Sequence, residues 1–147
     1  MRIFIDKIDP CEPESLGFTK AIGYPIHFRS SMFQGWAKFV PAGENPEDYV
    51  NREIDVELAH ESIGGLHVST NRHCQVLPLV DAFSYHVRGE IKAIVHHSEP
   101  AGNRTAYIAA GDAEFSLRMK DLGDLNINKG ELVEFNVYRL SLWDESI

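Results

Sequence analysis

The sequence is poor in cysteine and in long apolar segments. Its 147 residues include only two cysteines, Cys11 and Cys74, so at most one intramolecular disulfide can form and no disulfide framework supports the fold. No segment approaches the roughly 18 consecutive apolar residues of a membrane-spanning helix. The charged N-terminal segment MRIFIDKIDP is unlike a secretory signal. We therefore expect a protein without a membrane segment, located in the cytoplasm, where thiols stay reduced.

Basic residues are also scarce. The chain has 14 lysines and arginines against 22 aspartates and glutamates, and its formal net charge is −8. Because phosphate backbones attract cationic surfaces, this balance disfavours nucleic-acid binding and suits association with a basic protein. With 44% hydrophobic and 24% charged residues, the composition is typical of a globular protein.

The length predicts one β domain over residues 1–147. An alternative division places an N-terminal β subdomain, residues 1–80, against a barrel-like half, residues 81–147.

The sequence motifs of the common enzyme classes are missing. There is no Cys-x-x-Cys, His-x-His or His-Glu-x-x-His pairing, and no Gly-x-Ser-x-Gly, phosphate-binding loop or dinucleotide-binding fingerprint. We therefore predict no catalytic residues and no cofactor, and favour a binding protein over an enzyme.

Alternation with a period of two residues is the strongest pattern that is present. In FSYHVRGEIKAIV, residues 83–95, one parity is apolar and the other is polar. The apolar set is Phe83, Tyr85, Val87, Ile91, Ala93 and Val95. Successive side chains of a strand point to opposite faces, so this segment is predicted to be one long, half-buried strand. Gly89, in the middle of the apolar row, is expected to mark a bend or bulge.

The segment TAYIAAGDAEFSLRM, residues 105–119, predicts a hairpin. A two-residue type II′ turn at Gly111 and Asp112 would place apolar residues opposite each other. The expected pairs are Ile108 with Phe115 and Ala106 with Leu117. In the final segment ELVEFNVYRLSLW the apolar row shifts by one residue, which predicts a bulge near Tyr138 and Arg139.

The remaining segments complete a mostly β prediction. Strand-like segments in the first half are RIFIDKI, YPIHFRS, FQGWAKFV and REIDVELA, with ESIGGLHVS and QVLPLV as shorter strands. One or two short helices are expected, at residues 45–48 and 15–22. Together these patterns indicate an antiparallel, barrel-like domain. From about residue 83 to residue 143 the strand order resembles that of a five-stranded OB-type barrel.

That resemblance implies a test for oligonucleotide binding. OB-type barrels bind single strands by stacking bases on exposed aromatic rings within a positive groove. The outward positions here include His86, Arg88 and Tyr107, and only Tyr107 is aromatic. Mixed charge along this row favours a solvated face with cross-strand ion pairs. Oligonucleotide binding remains an alternative that the charge disfavours.

The middle of the chain is rich in histidine and suggests a metal-dependent enzyme as a further alternative. Imidazole and thiolate are zinc ligands, and the weak candidates are His60, His67, His73 and Cys74. His60 shares the apolar parity of its segment, whereas His67 has the opposite parity to Leu66 and Val68. Scattered histidines without a shared site are the simpler interpretation, and no metal site is predicted.

The leading hypothesis is a protein-binding module, an adaptor or an inhibitor of a basic partner. Glu53, Asp55 and Glu57 alternate with Ile54, Val56 and Leu58, so the three carboxylates should point outward together with the acidic loop 121–124. Trp36 is either an exposed aromatic anchor inside an acidic rim or buried under the N-terminal segment. An uncovered strand edge could also pair with a second copy, which leaves a homodimer open.

Overall fold

The computed structural model describes residues 1–9, 13–19, 22–43, 45–99 and 102–146, and it is mostly β, as predicted. Within these residues the strands, in chain order, are β1 (Arg2–Ile8), β2 (Tyr24–Arg29), β3 (Gln34–Val40), β4 (Glu53–Ala59), β5 (Ser62–Val68), β6 (Gln75–Pro78), β7 (Tyr85–His96), β8 (Arg104–Ala110), β9 (Ala113–Arg118), β10 (Leu132–Tyr138) and β11 (Ser141–Asp144). The short helices are two single 3-10 turns, Pro13–Leu16 and Pro46–Tyr49, and α1 (Met119–Leu122). No helix in the described ranges is long and apolar enough to cross a membrane.

Five strands close into a barrel in the order β1, β2, β3, β11 and β4, and β4 pairs with β1 to complete it. Every pair is antiparallel except β3 with β11, which is parallel and sets Ser141 opposite Lys38. Closure leaves these strands without a free edge. The alternative division considered from the sequence placed a barrel-like half in residues 81–147. Instead, four barrel strands precede residue 60, because β11 pairs with β3 and β4 from the other end of the chain.

The second sheet is antiparallel and runs β5, β10, β7, β8 and β9, with β6 paired to β7. Sheet membership therefore does not follow the order of the chain. β5 and β6 precede residue 81 but belong to the second sheet, whereas β11, near the end of the sequence, belongs to the barrel. The chain crosses between the sheets at Arg139, whose φ is 57°. The predicted bulge near Tyr138 and Arg139 is thus this crossing. The apolar row shifts at this point because β10 belongs to the second sheet and β11 belongs to the barrel.

The long strand β7 follows the predicted parity only over its first part. Tyr85, Val87 and Ile91 are buried as predicted. The pairing with β8 then shifts between Ile91 and Ala93, and Val95 is 41% exposed, so the prediction that Val95 points inward is wrong. Gly89 is not the bulge. A Cβ there would lie 2.7 Å from Cγ2 of Ile108, so glycine allows β8 to approach closely.

The predicted hairpin is confirmed. β8 and β9 pair in the expected register, which includes Ile108 with Phe115 and Ala106 with Leu117. Gly111 has a φ of 61° at the first turn position. Positive φ there, in glycine, is what a type II′ turn requires.

One apolar core joins the barrel and the second sheet. Phe33 of the barrel makes edge-to-face contacts with Phe28 and with Tyr85, at centroid distances of 5.2 Å. The Tyr85 hydroxyl donates to the carbonyl oxygen of Trp36 at 2.6 Å, and burial raises the pKa of Tyr85. A Cβ at Gly35 would overlap that hydroxyl. These contacts hold the two sheets together over a continuous interior.

The helix predictions are confirmed at one site and wrong at the other. Asn45 caps the 3-10 turn Pro46–Tyr49 by accepting from the backbone N–H of Glu47. The helix expected over residues 15–22 is replaced by the earlier turn Pro13–Leu16, since the chain already has a turn at Gly17, with a φ of 90°. Residues 20 and 21 lie outside the described residues.

Candidate functional site

Glu134 lies at the centre of a polar network on the outer face of the second sheet. The register of β10 on β7 sets Glu134 opposite Arg88 and Asn136 opposite His86. One carboxylate oxygen of Glu134, Oε1, lies 2.9 Å from Nη2 of Arg88 and 3.0 Å from Nε2 of His86. The other, Oε2, accepts from the Ser69 hydroxyl at 2.7 Å. Two neighbouring strands and the loop after β5 thus converge on one carboxylate.

These hydrogen bonds stabilise the charged form of Glu134. The Ser69 hydroxyl, then His86 and Arg88, lower the pKa of Glu134 from 4.5 to about 2. The other ring nitrogen of His86 lies 2.8 Å from Oδ1 of Asn136. His86 and Arg88, predicted as binding residues, are therefore held by neighbours within the sheet.

The four histidine and cysteine candidates for a metal site lie apart. His67 is exposed and its Nε2 lies 3.5 Å from Glu134. His73 offers its carbonyl oxygen to Arg88 at 3.2 Å, and Cys74 is exposed. His60 is buried elsewhere, beside Asp121. Across the described ranges, no group of three or more histidines, cysteines and acids could hold a metal ion. Cys11 lies outside those ranges.

The two aromatic candidates are half-buried. Lys7 Nζ lies 5.1 Å from the centre of the Trp36 ring, and His27 packs edge-on against it at 5.5 Å. The ring of Trp36 thus contacts Lys7 and His27, and His27 in turn lies 2.8 Å from Oδ2 of Asp6. Tyr107 pairs with Ser116 on one side and Ala93 on the other, within the sheet.

The outward carboxylates of β4 line an open groove on the barrel. Glu53, Asp55 and Glu57 are exposed, as predicted, while Val56 and Leu58 are buried. The groove has a volume of about 660 Å³. Its charged lining consists of five acids, Asp48, Glu53, Asp55, Asp144 and Glu145, and two bases, Arg2 and Arg52.

Two further hollows continue this groove along β4. A hollow of about 400 Å³ shares Asp144 and Glu145 with the groove and adds Glu57 and Trp143. A third, also about 400 Å³, shares Glu57 and Trp143 and reaches His60, Ser116, Arg118, Lys120 and Asp121. We call these three adjoining hollows the β4 trough. It follows the strand from Glu53 to His60, about 23 Å at 3.3–3.4 Å per residue.

The carboxylates of the trough differ in how far they are already paired. Arg2 donates to both oxygens of Asp55, at 3.1 and 3.2 Å, and lowers the pKa of Asp55. Asp144 is buried and accepts from backbone N–H groups of Ala42 and Ser146. By contrast, among the described residues no ion pair or side-chain hydrogen bond engages the carboxylates of Asp48, Glu57 and Glu145.

Several trough residues were missed from the sequence. Trp143, Asp144 and Glu145 join Glu57 and Asp55 only because β11 pairs with β4. The one local signal was the acidic segment WDES, residues 143–146. Conversely, Asp121 was expected on the acidic surface, but its side chain is 8% exposed because it faces His60.

Comparison of the chain with protein-family models, with curated proteins and with solved structures returned no match.

Proposed function

We propose that this protein is a non-enzymatic binding module and that the β4 trough binds an extended, basic segment of a partner protein. The observation that carries the proposal is the set of exposed, unpaired carboxylates, Asp48, Glu57 and Glu145, in a concave part of the barrel surface. Charge complementarity steers such an encounter and selects the partner.

The spacing of the acids favours an extended ligand. Glu53, Asp55 and Glu57 occupy alternate positions of β4 and so repeat about every 6.7 Å, twice the rise per residue. A partner segment in extended conformation has the same repeat on one face. Lysine or arginine at every second position would therefore meet one carboxylate each. Arg2, bound to Asp55 through two hydrogen bonds, illustrates how a guanidinium group fits on this strand.

Trp143 supplies an apolar contact within the same trough. Its side chain is half-buried, and it lies opposite Glu57 in the β11–β4 pairing. A partly exposed tryptophan beside charged groups is a common anchor in protein interfaces, since it combines a large apolar surface with little conformational entropy.

The other functions raised by the sequence have weaker support. For an oligonucleotide-binding, OB-like barrel, the basic groups His86 and Arg88 would have to leave Glu134. For a metal-dependent enzyme, His60 and His67 would have to converge. We also propose the cytoplasm as the location, on the sequence-based grounds given above. Pairing of two copies through an edge strand of the second sheet is a separate proposal, compatible with an occupied trough.

Two nine-residue peptides of identical composition test the proposal. One has lysine at every second position with serine between, and the other has the lysines contiguous. Isothermal titration at low and at 0.5 M salt should show roughly three- to tenfold tighter binding of the alternating peptide, with both affinities falling as salt screens the charges. Equal affinities would mean that the trough does not distinguish alternating from contiguous lysines, which would contradict the proposed extended ligand.

A further inference from the structure

The far end of the β4 trough differs in charge from the rest of it. Here the end of β4, the end of β9 and α1 surround a hollow of about 400 Å³. Two cationic side chains, Arg118 and Lys120, line it, and both residues are exposed. In the part of the chain that the structure describes, neither head group has an ion pair. The first hollow of the trough has five acids against two arginines, whereas this end has two cations without an ion pair among the described residues.

Asp121, which lies at this end of the trough, already has polar partners within the fold. His60 and Asp121 are both about nine-tenths buried, with side-chain exposures of 10% and 8%, and Nε2 of His60 lies 3.6 Å from Oδ2 of Asp121. The same oxygen accepts from the backbone N–H of Arg118 at 3.1 Å. Because Asp121 is sheltered and engaged in this way, it is poorly placed to neutralise the exposed cations.

His60 adds a polar group to the floor of the hollow. Burial lowers the pKa of His60, and Asp121 only partly opposes this, so near pH 7 the ring is neutral. A neutral imidazole has one N–H donor and one acceptor. The Ser116 hydroxyl also lines the hollow. The hollow therefore offers two cations and two neutral hydrogen-bonding groups, with the carboxylate of Glu57 on its β4 side.

We propose that this end of the trough binds the free C-terminal carboxylate of the partner segment. This inference rests on the proposed function and adds the orientation in which the partner segment lies along the trough. The carboxylate lies between Arg118 and Lys120, the last side chain packs on Trp143, and the preceding basic residues lie over Glu57 and then Glu53. Charge-assisted hydrogen bonds from guanidinium and ammonium groups to a carboxylate are among the strong polar contacts in binding sites.

The direct test compares the alternating lysine peptide with a free C-terminal carboxylate and the same peptide with a C-terminal amide. Isothermal titration should give the free acid an affinity at least fivefold higher. In the double variant Arg118→Gln/Lys120→Gln this advantage should disappear. The matched control, Arg72→Gln/Lys129→Gln, removes two exposed cations elsewhere and should keep the advantage. Thermal melting confirms that each variant is folded.

The outcomes separate this inference from the proposed function. Equal affinities of acid and amide, or an advantage that survives Arg118→Gln/Lys120→Gln, would overturn the assignment of the carboxylate while the basic-segment proposal stands. Tighter binding of the amide would also overturn the assignment, since it would mean that the acidic trough repels the terminal carboxylate. If neither form binds at low salt, the proposed function itself fails, and the carboxylate assignment fails with it.

Discussion

Two polar surfaces of this protein carry carboxylates, and they use them differently. On the second sheet, Glu134 is surrounded by Ser69, His86 and Arg88, all within 3.0 Å. In the β4 trough, Glu57 and Glu145 are exposed and, among the described residues, without such neighbours. The first carboxylate has its hydrogen-bonding capacity filled by the fold. Glu57 and Glu145 keep their hydrogen-bonding capacity available for a partner.

The number of charges on a surface is therefore a poor guide to binding. His86, Arg88 and Glu134 form a polar patch on the second sheet, yet they contact one another. A partner would have to break those contacts before gaining new ones. Asp48, Glu57 and Glu145 of the trough have no such cost, since among the described residues nothing engages their carboxylates. The remaining trough acids, Glu53, Asp55, Asp121 and Asp144, already have partners within the fold. Function is therefore better inferred from unpaired groups than from charged ones.

Replacing Glu134 should have the largest effect on stability. The variant Glu134→Ala leaves His86 and the mostly buried Arg88 without their carboxylate, and we expect a loss of about 2 kcal/mol in the free energy of unfolding. Glu57→Ala, the trough counterpart, should change it by less than about 0.5 kcal/mol. Urea denaturation of both variants gives the comparison, and a similar loss in each would remove the distinction between the two surfaces.

Glu134 should also account for part of the stability that the protein loses in acid. Because folding lowers the pKa of Glu134 from 4.5 to about 2, its contribution to stability is complete above pH 4.5 and is lost as the pH falls toward 2. The stability difference between the wild type and Glu134→Gln should therefore shrink over that interval. Denaturation at several pH values between 2 and 7 measures it, and a difference independent of pH would contradict the assigned pKa.

Removing Arg2 should leave two more trough carboxylates, Asp55 and Glu53, unpaired. Arg2 binds Asp55 and lies 3.8 Å from Glu53, so it competes with a basic partner for both carboxylates. The variant Arg2→Gln should bind the alternating lysine peptide two- to threefold more tightly. Its thermal midpoint should change little, since the ion pair is exposed. Unchanged or weaker peptide binding would show that these carboxylates do not take part.

The parts of the fold that could be predicted are local in sequence. The hairpin at Gly111 follows from alternation and turn chemistry within fifteen residues, and the structure has the same pairs. The closed barrel could not be found in this way. It depends on β11 pairing with β3 and β4, more than eighty residues earlier in the chain. Alternation indicates which face of a strand is buried, but it gives no information about which other strands pair with it.

The candidate site was predicted in part for the same reason. The outward direction of Glu53, Asp55 and Glu57 follows from the parity of one strand. Trp143 and Glu145 are added by strand pairing, which sequence parity does not specify. The network around Glu134 had a usable signal. Glu134 and Asn136 have the polar parity of their strand, as do His86 and Arg88 of theirs, but the register that brings them together is non-local.

We propose that the position of the carboxylates, and not the net charge of −8, determines binding to the trough. Two triple variants test it, because each removes three exposed acids. Glu53→Gln/Glu57→Gln/Glu145→Gln alters the trough, and Glu99→Gln/Glu114→Gln/Asp124→Asn alters acids outside it. Titrated with the alternating lysine peptide at low salt, the trough variant should bind roughly tenfold more weakly and the other less than twofold more weakly. Equal weakening in both would contradict the account, since only net charge would then matter.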